Sequence, residues 1–563
     1  MSDDAIESVP NPKSKIQNLK FSLLACALSG LLLVACFPKI HLRGMVWVAC
    51  LPMLAVLARV ERLKHAFLMG YVCGAVFFLG GCYWFVTVVN VYGGLAPWLA
   101  VVVLILFVII DATFFGMFGL AVGWVARRSA GGALVAAPFL WVTMEMARSY
   151  LITGFSWDLL GYGVQASGVR QIASVTGVYG LSFLGVAASA LAAWLVFKPR
   201  CKWAWLGFAG WVLLLGVAQL GLAPPPATKG RELAFLVQPN VPLDGAVLDT
   251  WMPWKDPAKV QELVHLSVAA VEQAGPIQDS RFKIQDPESI QNPKSKIQNV
   301  PQDSPAGLGP SLPIQNPKSK IQNPPLLVWA ENPAPFYFTR DPVFRNTMQN
   351  MARQTHAIVI LNTIIPVDAE GKAITNSAIV LDPQGREVSR YDKIHLVPFG
   401  EYVPGWALPG LVGKITSEVG NFVPGSKYTV ATTPAGGIGV FICYEAIVPQ
   451  LARQLTKAGA GVLVNISNDA WYGESAAAYQ HLEMARLRAI ENHRYLLRAT
   501  NNGVTMEIDP YGRILQQLPR YQPMVMPAYF NYETRQTFYS AHGDVFAWLC
   551  VAIAALMLAR AAI

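Results

Sequence analysis

Apolar segments of roughly membrane-spanning length separate short polar loops over the first 225 residues, and another such segment ends the chain. Each is near the ~20 residues that a helix needs to cross the hydrocarbon core of a bilayer. The segments run over residues 21–37, 45–57, 66–89, 97–125, 131–151, 172–197, 203–222 and 545–563. The pattern predicts a membrane α-helical bundle of about eight spans.

Two of these segments are atypical. The second is short, and the fifth carries Glu145 and Arg148 within its apolar run. Charges inside a spanning segment are costly and usually face the protein interior or a water-filled site. We interpret Glu145 and Arg148 as an i,i+3 pair inside the bundle.

Between residues 228 and 543 the pattern changes to short β-branched runs that alternate with helical periodicity. This alternation predicts a layered α/β domain whose functional residues lie at strand ends. Predicted strands cover residues 232–237, 326–330, 357–365, 377–381, 436–442, 461–466, 495–500 and 505–509, and predicted helices cover 257–274, 342–354, 449–458 and 479–493.

Composition supports a membrane protein with one water-facing domain. Hydrophobic residues make up 53% of the chain and charged residues 14%, and the mean hydropathy is +0.37. Such values are unusual for a soluble protein of this length. The net charge of +9 does not indicate nucleic-acid binding, because the cations lie mainly in loops between apolar segments and no basic module interleaved with aromatic residues is visible.

The distribution of Lys and Arg predicts the orientation of the bundle. Basic residues concentrate in the N-terminal tail and in every second loop, which the positive-inside rule assigns to the cytoplasm. Seven crossings then place the α/β domain outside the cytoplasm. The predicted organisation is a cytoplasmic tail (1–19), a seven-span bundle (20–225), an extracytoplasmic domain (228–543) and a C-terminal transmembrane helix (544–563).

An octapeptide, NPKSKIQN, occurs three times, at residues 11–18, 292–299 and 316–323. The last two copies lie in a stretch rich in Pro, Gln, Asn and Ser, over residues 276–325, that cannot bury enough apolar surface to order itself. We interpret this stretch as a disordered insertion without a chemical role.

Cys443 is the only cysteine in the polar part of the protein, because six others lie in apolar segments and Cys201 lies in a short basic loop. It ends a buried strand and is followed by Tyr444 and Glu445. A buried core cysteine is the ordinary interpretation of such a residue. A thiol at a strand end is also where a nucleophile would be placed.

Two other loops carry complementary chemistry. The strand over residues 326–330 stops at Glu331, and the following prolines end strand pairing. Lys393 lies in a loop dense in rigid and aromatic residues. Glu331, Lys393 and Cys443 together form a set with a mechanistic meaning: base, cation and nucleophile. His395 offers an alternative base, which is less favoured because Glu331 already supplies one.

Four motifs carry a resemblance to a known family: WAENP around Glu331, YDKIHLVPFGEYVP around Lys393, ICYE around Cys443, and SNDAW over residues 467–471. They resemble the nitrilase superfamily, and the apolar segments narrow the resemblance to the apolipoprotein N-acyltransferase family of bacterial inner membranes. The resemblance implies an α-β-β-α sandwich and a Glu-Lys-Cys triad without a metal or cofactor. It also implies transfer of the sn-1 acyl chain of a membrane phospholipid, through a Cys thioester, to the amine of a diacylated apolipoprotein, by a monomer whose catalytic domain lies on the periplasmic side.

The resemblance also suggests supporting residues. Glu401 resembles a glutamate that supports the lysine, and Tyr444 and Glu445 resemble the pair that follows the nucleophile. Trp471 resembles an aromatic wall of the substrate pocket, and Asn240 matches a strand-end motif. Trp251 or Trp254 lies near a family tryptophan position, and the apolar loop over residues 406–415 is interpreted as a lid that dips into the outer leaflet.

Two other classes of function remain open at this stage. One is a membrane-tethered amidase of the nitrilase type, with water as the acceptor. The other is a non-enzymatic scaffold whose nitrilase-like domain only binds, which the presence of all three triad residues argues against. An acyl adduct on Cys443, hydrolysis of a small amide, or neither would separate the three.

Overall fold

The structure is a computed structural model that describes residues 12–152, 154–243, 257–274, 323–331, 336–368, 370–371, 373–402 and 422–563. The predicted insertion over 276–325 therefore lies, except for its last three residues, outside the described residues. The first helix, Pro12–Ala35, begins inside the segment predicted as a tail. A proline at a first helical position is compatible with this start, because that position needs no hydrogen-bonded N–H.

In the described part of the chain, six helices are long and apolar enough to cross a membrane. Two shorter apolar helical segments, Leu19–Ala35 and Met45–Leu57, accompany them. The prediction of about eight spans thus corresponds to six helices of spanning length and two shorter segments. The six are Leu63–Gly81, Pro97–Ala126, Ala130–Tyr150, Val178–Phe197, Lys202–Gly221 and Val545–Ala562.

Several predicted spans are interrupted. The span predicted over 172–197 is divided at Gly177, whose φ of 64° lies in the left-handed region. In the span predicted over 66–89, the long helix ends at Gly81. A side chain at Gly177 would also meet the ring of Tyr539. Among the residues that the structure describes, the short helical segments are Met45–Trp47, Leu51–Leu57, Phe85–Thr87, Val88–Tyr92, Leu160–Gly163, Ser167–Arg170, Ala173–Thr176, Cys443–Ile447, Asp469–Tyr472 and Phe538–His542.

Glu145 and Arg148 are both buried but do not form the predicted pair. Glu145 accepts a hydrogen bond from the backbone N–H of Leu160 (2.8 Å), and Arg148 donates to the backbone carbonyl of Trp157 (2.9 Å). Each side chain therefore binds the loop that follows its own helix, since that loop offers unpaired backbone groups. The same loop contacts the α/β domain through Trp157.

Within its described residues, the α/β domain has two six-stranded sheets. Their strands are β1 Glu232–Gln238, β2 Leu326–Trp329, β3 Ile358–Pro366, β4 Ile374–Leu381, β5 Glu387–Asp392, β6 Val430–Thr432, β7 Gly437–Ile442, β8 Ala460–Ser467, β9 Tyr495–Thr500, β10 Met506–Ile508, β11 Ile514–Gln517 and β12 Met524–Phe530. The first sheet has the order β12-β1-β2-β3-β4-β5 and the second β11-β10-β9-β8-β7-β6. In each sheet three central strands are parallel and the outer strands are antiparallel.

The two sheets pack face to face, and helices cover their outer faces. The core between the sheets contains Leu236 and Val328 from the first sheet and Val440 and Val464 from the second. Because both faces of the central strands are covered, these strands are nearly continuous apolar runs, as β2 and β8 show. The covering helices are Pro257–Gln273 and Pro342–Thr355 on one side and Pro449–Lys457 and Ala477–Asn492 on the other. The domain is thus a four-layer α-β-β-α sandwich.

Helix Ala477–Asn492 also joins the domain to the bundle. Gln480 accepts a hydrogen bond from Trp157 Nε1 (2.9 Å) and donates to the carbonyl of Gly81 (3.1 Å). Near the other end of the helix, Glu491 accepts from the backbone N–H of Val178 (3.0 Å). Polar side chains of this helix are therefore buried against the bundle with specific partners.

A buried ion pair adds to this interface. Arg170, in the segment before the helix Val178–Phe197, lies 2.8 Å from Glu483 of the domain, and both side chains are less than a tenth exposed. Although burial alone would raise it, Arg486 and Arg170 lower the pKa of Glu483 to about 2. A group with a depressed pKa in the folded state stabilises the fold above its unfolded pKa, and this stabilisation is lost as the pH falls toward the folded pKa.

We expect Glu483→Gln to lower the free energy of unfolding at pH 7 by about 3 kcal/mol, because the substitution leaves Arg170 buried without its partner. The difference between variant and wild type should shrink as the pH falls from about 4 toward 2, because the wild-type carboxylate then takes up a proton. Unfolding experiments in detergent at several pH values measure the loss of stability at pH 7 and its decrease at low pH. Glu262→Gln, at an exposed pair with Lys259, is the matched control and should change stability by less than about 0.5 kcal/mol.

Candidate active site

Three strand ends bring together Glu331, Lys393 and Cys443. Glu331 follows β2 and Lys393 follows β5, both in the first sheet, whereas Cys443 follows β7 in the second. Lys393 Nζ lies 3.8 Å from Glu331 Oε1, and besides burial the charges of both residues act on the Cys443 thiol, whose pKa Glu331 raises and Lys393 lowers. The three residues that the sequence selected therefore meet at the junction of the two sheets.

Glu331 is held at both carboxylate oxygens. Oε1 accepts from Asn376 Nδ2 (2.9 Å) and Oε2 accepts from the backbone N–H of Asn468 (2.9 Å). Burial raises the pKa of Glu331, in opposition to the adjacent Lys393. A carboxylate with a raised pKa and fixed orientation is suited to accept a proton from a neighbouring group.

Lys393 is 1% exposed and lies between two carboxylates. Its ammonium donates to Glu401 Oε1 (2.9 Å), and Glu401 Oε2 accepts from the backbone N–H of Val397 (2.8 Å). Although burial alone would lower it, Glu401 and Glu331 raise the pKa of Lys393 above its usual value. Lys393 is therefore a charged ammonium hydrogen-bonded to Glu401, and the supporting role that the family resemblance implies for Glu401 stays a prediction.

Cys443 is buried at the point where β7 turns into the helical segment Cys443–Ile447. Its φ of 50° is in the left-handed region, which is unusual for a residue with a side chain. Burial and the nearby Glu331 raise the pKa of the thiol, in opposition to Lys393. The resting sulfur is accordingly a thiol, and a thiol becomes a strong nucleophile only when a base takes up its proton.

Glu445 accepts four hydrogen bonds and holds the loop that carries Lys393. Oε1 accepts from the Tyr391 hydroxyl (2.7 Å) and from the backbone N–H groups of Ile394 (2.7 Å) and His395 (3.1 Å). Oε2 accepts from the N–H of Ile442 (2.8 Å), the residue before Cys443. Glu445 therefore ties the lysine loop of one sheet to the cysteine strand of the other.

The predicted aromatic neighbours separate into two environments. Tyr444 is 9% exposed and joins the hydrophobic core of the bundle, whereas Trp471 is 40% exposed. The side chain that packs at this junction is instead Tyr472, whose ring centroid lies 5.2 Å from that of Trp84 and 5.7 Å from that of Trp157. Aromatic side chains thus connect the surroundings of Cys443 to the bundle.

Asn240 is connected to the site through its backbone. Its N–H donates to the carbonyl of Asn501 (2.9 Å), and Asn501 Nδ2 in turn donates to Asn468 Oδ1 (3.1 Å). Asn468 holds Glu331. Trp251, Trp254 and the predicted lid over 406–415 lie outside the described residues, and no group of His, Cys, Asp or Glu in the described chain has the arrangement of a metal site.

Three further residues at the site were not selected from the sequence. Asn376 interrupts the apolar pattern of β4, which was the available signal, and Asn468 lies within the motif SNDAW. His481 lies on the helix Ala477–Asn492, and its Nε2 lies 3.0 Å from the backbone carbonyl of Cys443.

Profiles of two protein families match the chain. The carbon-nitrogen hydrolase family matches residues 322–537, and the apolipoprotein N-acyltransferase N-terminal domain matches residues 29–191. The former covers the strands that carry the triad and the latter covers most of the helical bundle.

Similar proteins cover nearly the whole chain. The apolipoprotein N-acyltransferase of Geobacter metallireducens is 35% identical over 96% of this chain and 95% of its own length. That of Pseudomonas putida is 31% identical over 82% of each chain, and that of Methylococcus capsulatus is 30% identical over 88% of each. Among solved structures, a mutant of the amidase from Nesterenkonia sp. AN1 is 15% identical and covers 57% of this chain and 97% of that chain, with a TM-score of 0.36.

Proposed function

Because the chain belongs to the apolipoprotein N-acyltransferase family, a family of nitrilase-superfamily enzymes with transmembrane helices, we propose that it transfers an acyl chain from a membrane phospholipid to the N-terminal amine of a diacylated apolipoprotein. The observation that supports this function most directly is the meeting of Glu331, Lys393 and Cys443 in a buried site adjoining the bundle. Base, cation and nucleophile then have the geometry that acyl transfer requires.

In the first half-reaction, Glu331 takes the thiol proton while Cys443 Sγ attacks the ester carbonyl of the phospholipid. The carbonyl oxygen becomes an oxyanion, which the ammonium of Lys393 stabilises. When the tetrahedral intermediate collapses, the C–O ester bond breaks and the leaving alkoxide takes the proton from Glu331. The products are a lysophospholipid and a Cys443 thioester.

In the second half-reaction, the neutral amine of the apolipoprotein attacks the thioester. Glu331 takes a proton from the attacking nitrogen, the C–S bond breaks, and the sulfur regains its proton. The amine leaves as an amide, and Cys443 returns to its starting state. Both substrates use one site in turn, which is a ping-pong cycle.

The packing of the site supports a lipid donor. Tyr444 and Tyr472 belong to the same hydrophobic cluster as Trp84 and Trp157 of the bundle. The nucleophile therefore adjoins an apolar aromatic wall rather than open solvent, and an acyl chain has matching surface there. The Lys and Arg content of alternate loops supports a periplasmic position of the catalytic domain in the bacterial inner membrane.

The function is tested with purified protein in detergent or nanodiscs. Incubation with phospholipid alone should increase the protein's mass by one acyl group on Cys443, and a diacylated lipopeptide should then acquire a third chain on its amine. Release of free fatty acid without a triacylated product would indicate a hydrolase instead. Absence of any adduct would contradict the nucleophilic role of Cys443.

A further inference from the structure

The backbone of the nucleophile is in a conformation that its neighbours must maintain. Cys443 has a φ of 50°, and it is not a glycine, so the left-handed conformation is strained unless other contacts fix it. A change of conformation at this residue would move Sγ relative to Glu331 and Lys393. The hydrogen bond to the Cys443 carbonyl therefore affects the catalytic geometry.

His481 makes that hydrogen bond. Its Nε2 lies 3.0 Å from the Cys443 carbonyl oxygen. A carbonyl oxygen can only accept, so Nε2 must carry a proton. On the other side of the ring, Nδ1 lies 3.0 Å from Asp469 Oδ1 and 3.1 Å from an Arg498 guanidinium nitrogen. His481, Asp469 and Arg498 are all fully buried.

Asp469 and Arg498, the partners of Nδ1, are themselves held by the second sheet and the turn that follows β8. Arg498, on β9, contacts both carboxylate oxygens of Asp469, at 3.1 and 2.8 Å. Asp469 also accepts from the Ser467 hydroxyl (2.9 Å), at the end of β8. The imidazole thus spans the distance between a rigid buried ion pair and the backbone of the nucleophile.

One face of the imidazole packs against a residue of the bundle, Trp157. The Trp157 ring stacks on His481 with centroids 5.7 Å apart and an interplanar angle of 22°. Trp157 is itself fixed, because its Nε1 donates to Gln480 and its carbonyl accepts from Arg148. The orientation of His481 therefore depends on contacts from the membrane bundle as well as from the α/β domain.

We propose that His481 is a positioning residue that holds the backbone of Cys443 in its reactive conformation through the Nε2 hydrogen bond. This inference rests on the proposed role of Cys443 as the nucleophile. It assigns to the imidazole no proton transfer with substrate, because its two nitrogens are already committed to Cys443 and to the Asp469 and Arg498 pair. Docking of the domain on the bundle then contributes directly to nucleophile geometry.

Two amide substitutions test separately the contact of Nε2 with Cys443 and the contact of Nδ1 with Asp469. In His481→Gln the side-chain amide reaches roughly the position of Nε2 and can still donate to the Cys443 carbonyl. In His481→Asn the amide reaches only the position of Nδ1, so the contact with Asp469 can persist while the bond to Cys443 is lost. We expect His481→Asn to slow thioester formation on the order of 100-fold, the scale of a small misplacement of a reacting group, with the KM for phospholipid unchanged. His481→Gln should recover most of the rate.

Thioester formation is measured by mass spectrometry of the intact protein after rapid mixing with phospholipid, and the unfolding midpoint is measured for each variant. His493→Gln is the matched control, because His493 lies just after the same helix with its ring against Tyr511, and it should acylate like wild type. Equal rates in the Asn and Gln variants, whether both normal or both slow, would overturn the proposal. A wild-type protein that forms no thioester would contradict the proposed function rather than the positioning role.

A measurement on the unsubstituted protein covers the case in which the Asn variant does not fold. With 15N-labelled histidine, the Nε2 resonance of His481, identified by its absence from the His481→Gln spectrum, should have the shift of a protonated nitrogen. A shift typical of an unprotonated Nε2 would overturn the proposal, because such a nitrogen cannot donate to Cys443.

Discussion

Cys443→Ser is expected to abolish acyl transfer, with a loss on the order of 10⁴-fold or more, as is typical when a covalent nucleophile is removed. The replacement is nearly the same size, so packing is conserved. A serine hydroxyl is a much weaker acid than a thiol, however, so Glu331 removes its proton far less readily. Intact-protein mass spectrometry should show no acyl adduct after exposure to phospholipid, and the lipopeptide should acquire no third chain.

Cys201→Ser is the control for this substitution. Cys201 is the only one of the eight cysteines that is not buried, and it lies in the loop before the helix Lys202–Gly221. This variant should form the adduct at the wild-type rate. An adduct that persists in Cys443→Ser and disappears in Cys201→Ser would place the acyl group on the wrong residue for the proposed mechanism.

Glu331→Gln is expected to slow thioester formation by about 10³-fold, within the range for loss of a general base. Because burial raises the pKa of the Cys443 thiol, little thiolate exists without the base. The wild-type rate should increase with pH through the raised pKa of Glu331, since only its deprotonated form accepts the proton. In the Gln variant this part of the pH profile should disappear, which single-turnover acylation at several pH values measures.

Glu401→Gln tests whether a second nearby carboxylate could act as the proton acceptor in place of Glu331. Glu401 shares Asn376 and Lys393 as partners with Glu331, but its second oxygen is committed to Val397. We expect a smaller loss of rate and a retained pH profile, because Glu401 supports the lysine rather than receiving the proton. Equal losses and equal changes in pH profile for the two variants would argue against Glu331 as the base.

The site was predictable from the sequence because its three residues follow buried strands with distinctive surroundings. Functional residues of a layered α/β domain lie at strand ends, so Glu331 and Cys443, which follow β2 and β7, were expected to belong to one site. The sequence does not indicate which strands share a sheet. It therefore did not show that Cys443 comes from a different sheet from Glu331 and Lys393.

The supporting contacts were less predictable because they depend on tertiary structure. Asn376 and His481 lie in a strand and a helix whose patterns indicate only buried faces, and their partners are distant in the chain. The helix breaks were missed for a different reason. Hydropathy registers apolar length, whereas the break at Gly177 comes from a backbone conformation that leaves the apolar run uninterrupted.

The return of β12 to the edge of the first sheet constrains how the protein is made. β12 pairs with β1 from Glu232↔Phe530 to Gln238↔Met524. The sheet that carries Glu331 and Lys393 therefore lacks one edge strand until residue 530 has been synthesised. Only residues 531–544 then precede the last apolar helix. Completion of the catalytic domain on one side of the membrane and insertion of the final span therefore fall in the same brief interval of synthesis, and a chain that stops before β12 leaves β1 as an open edge available to other chains.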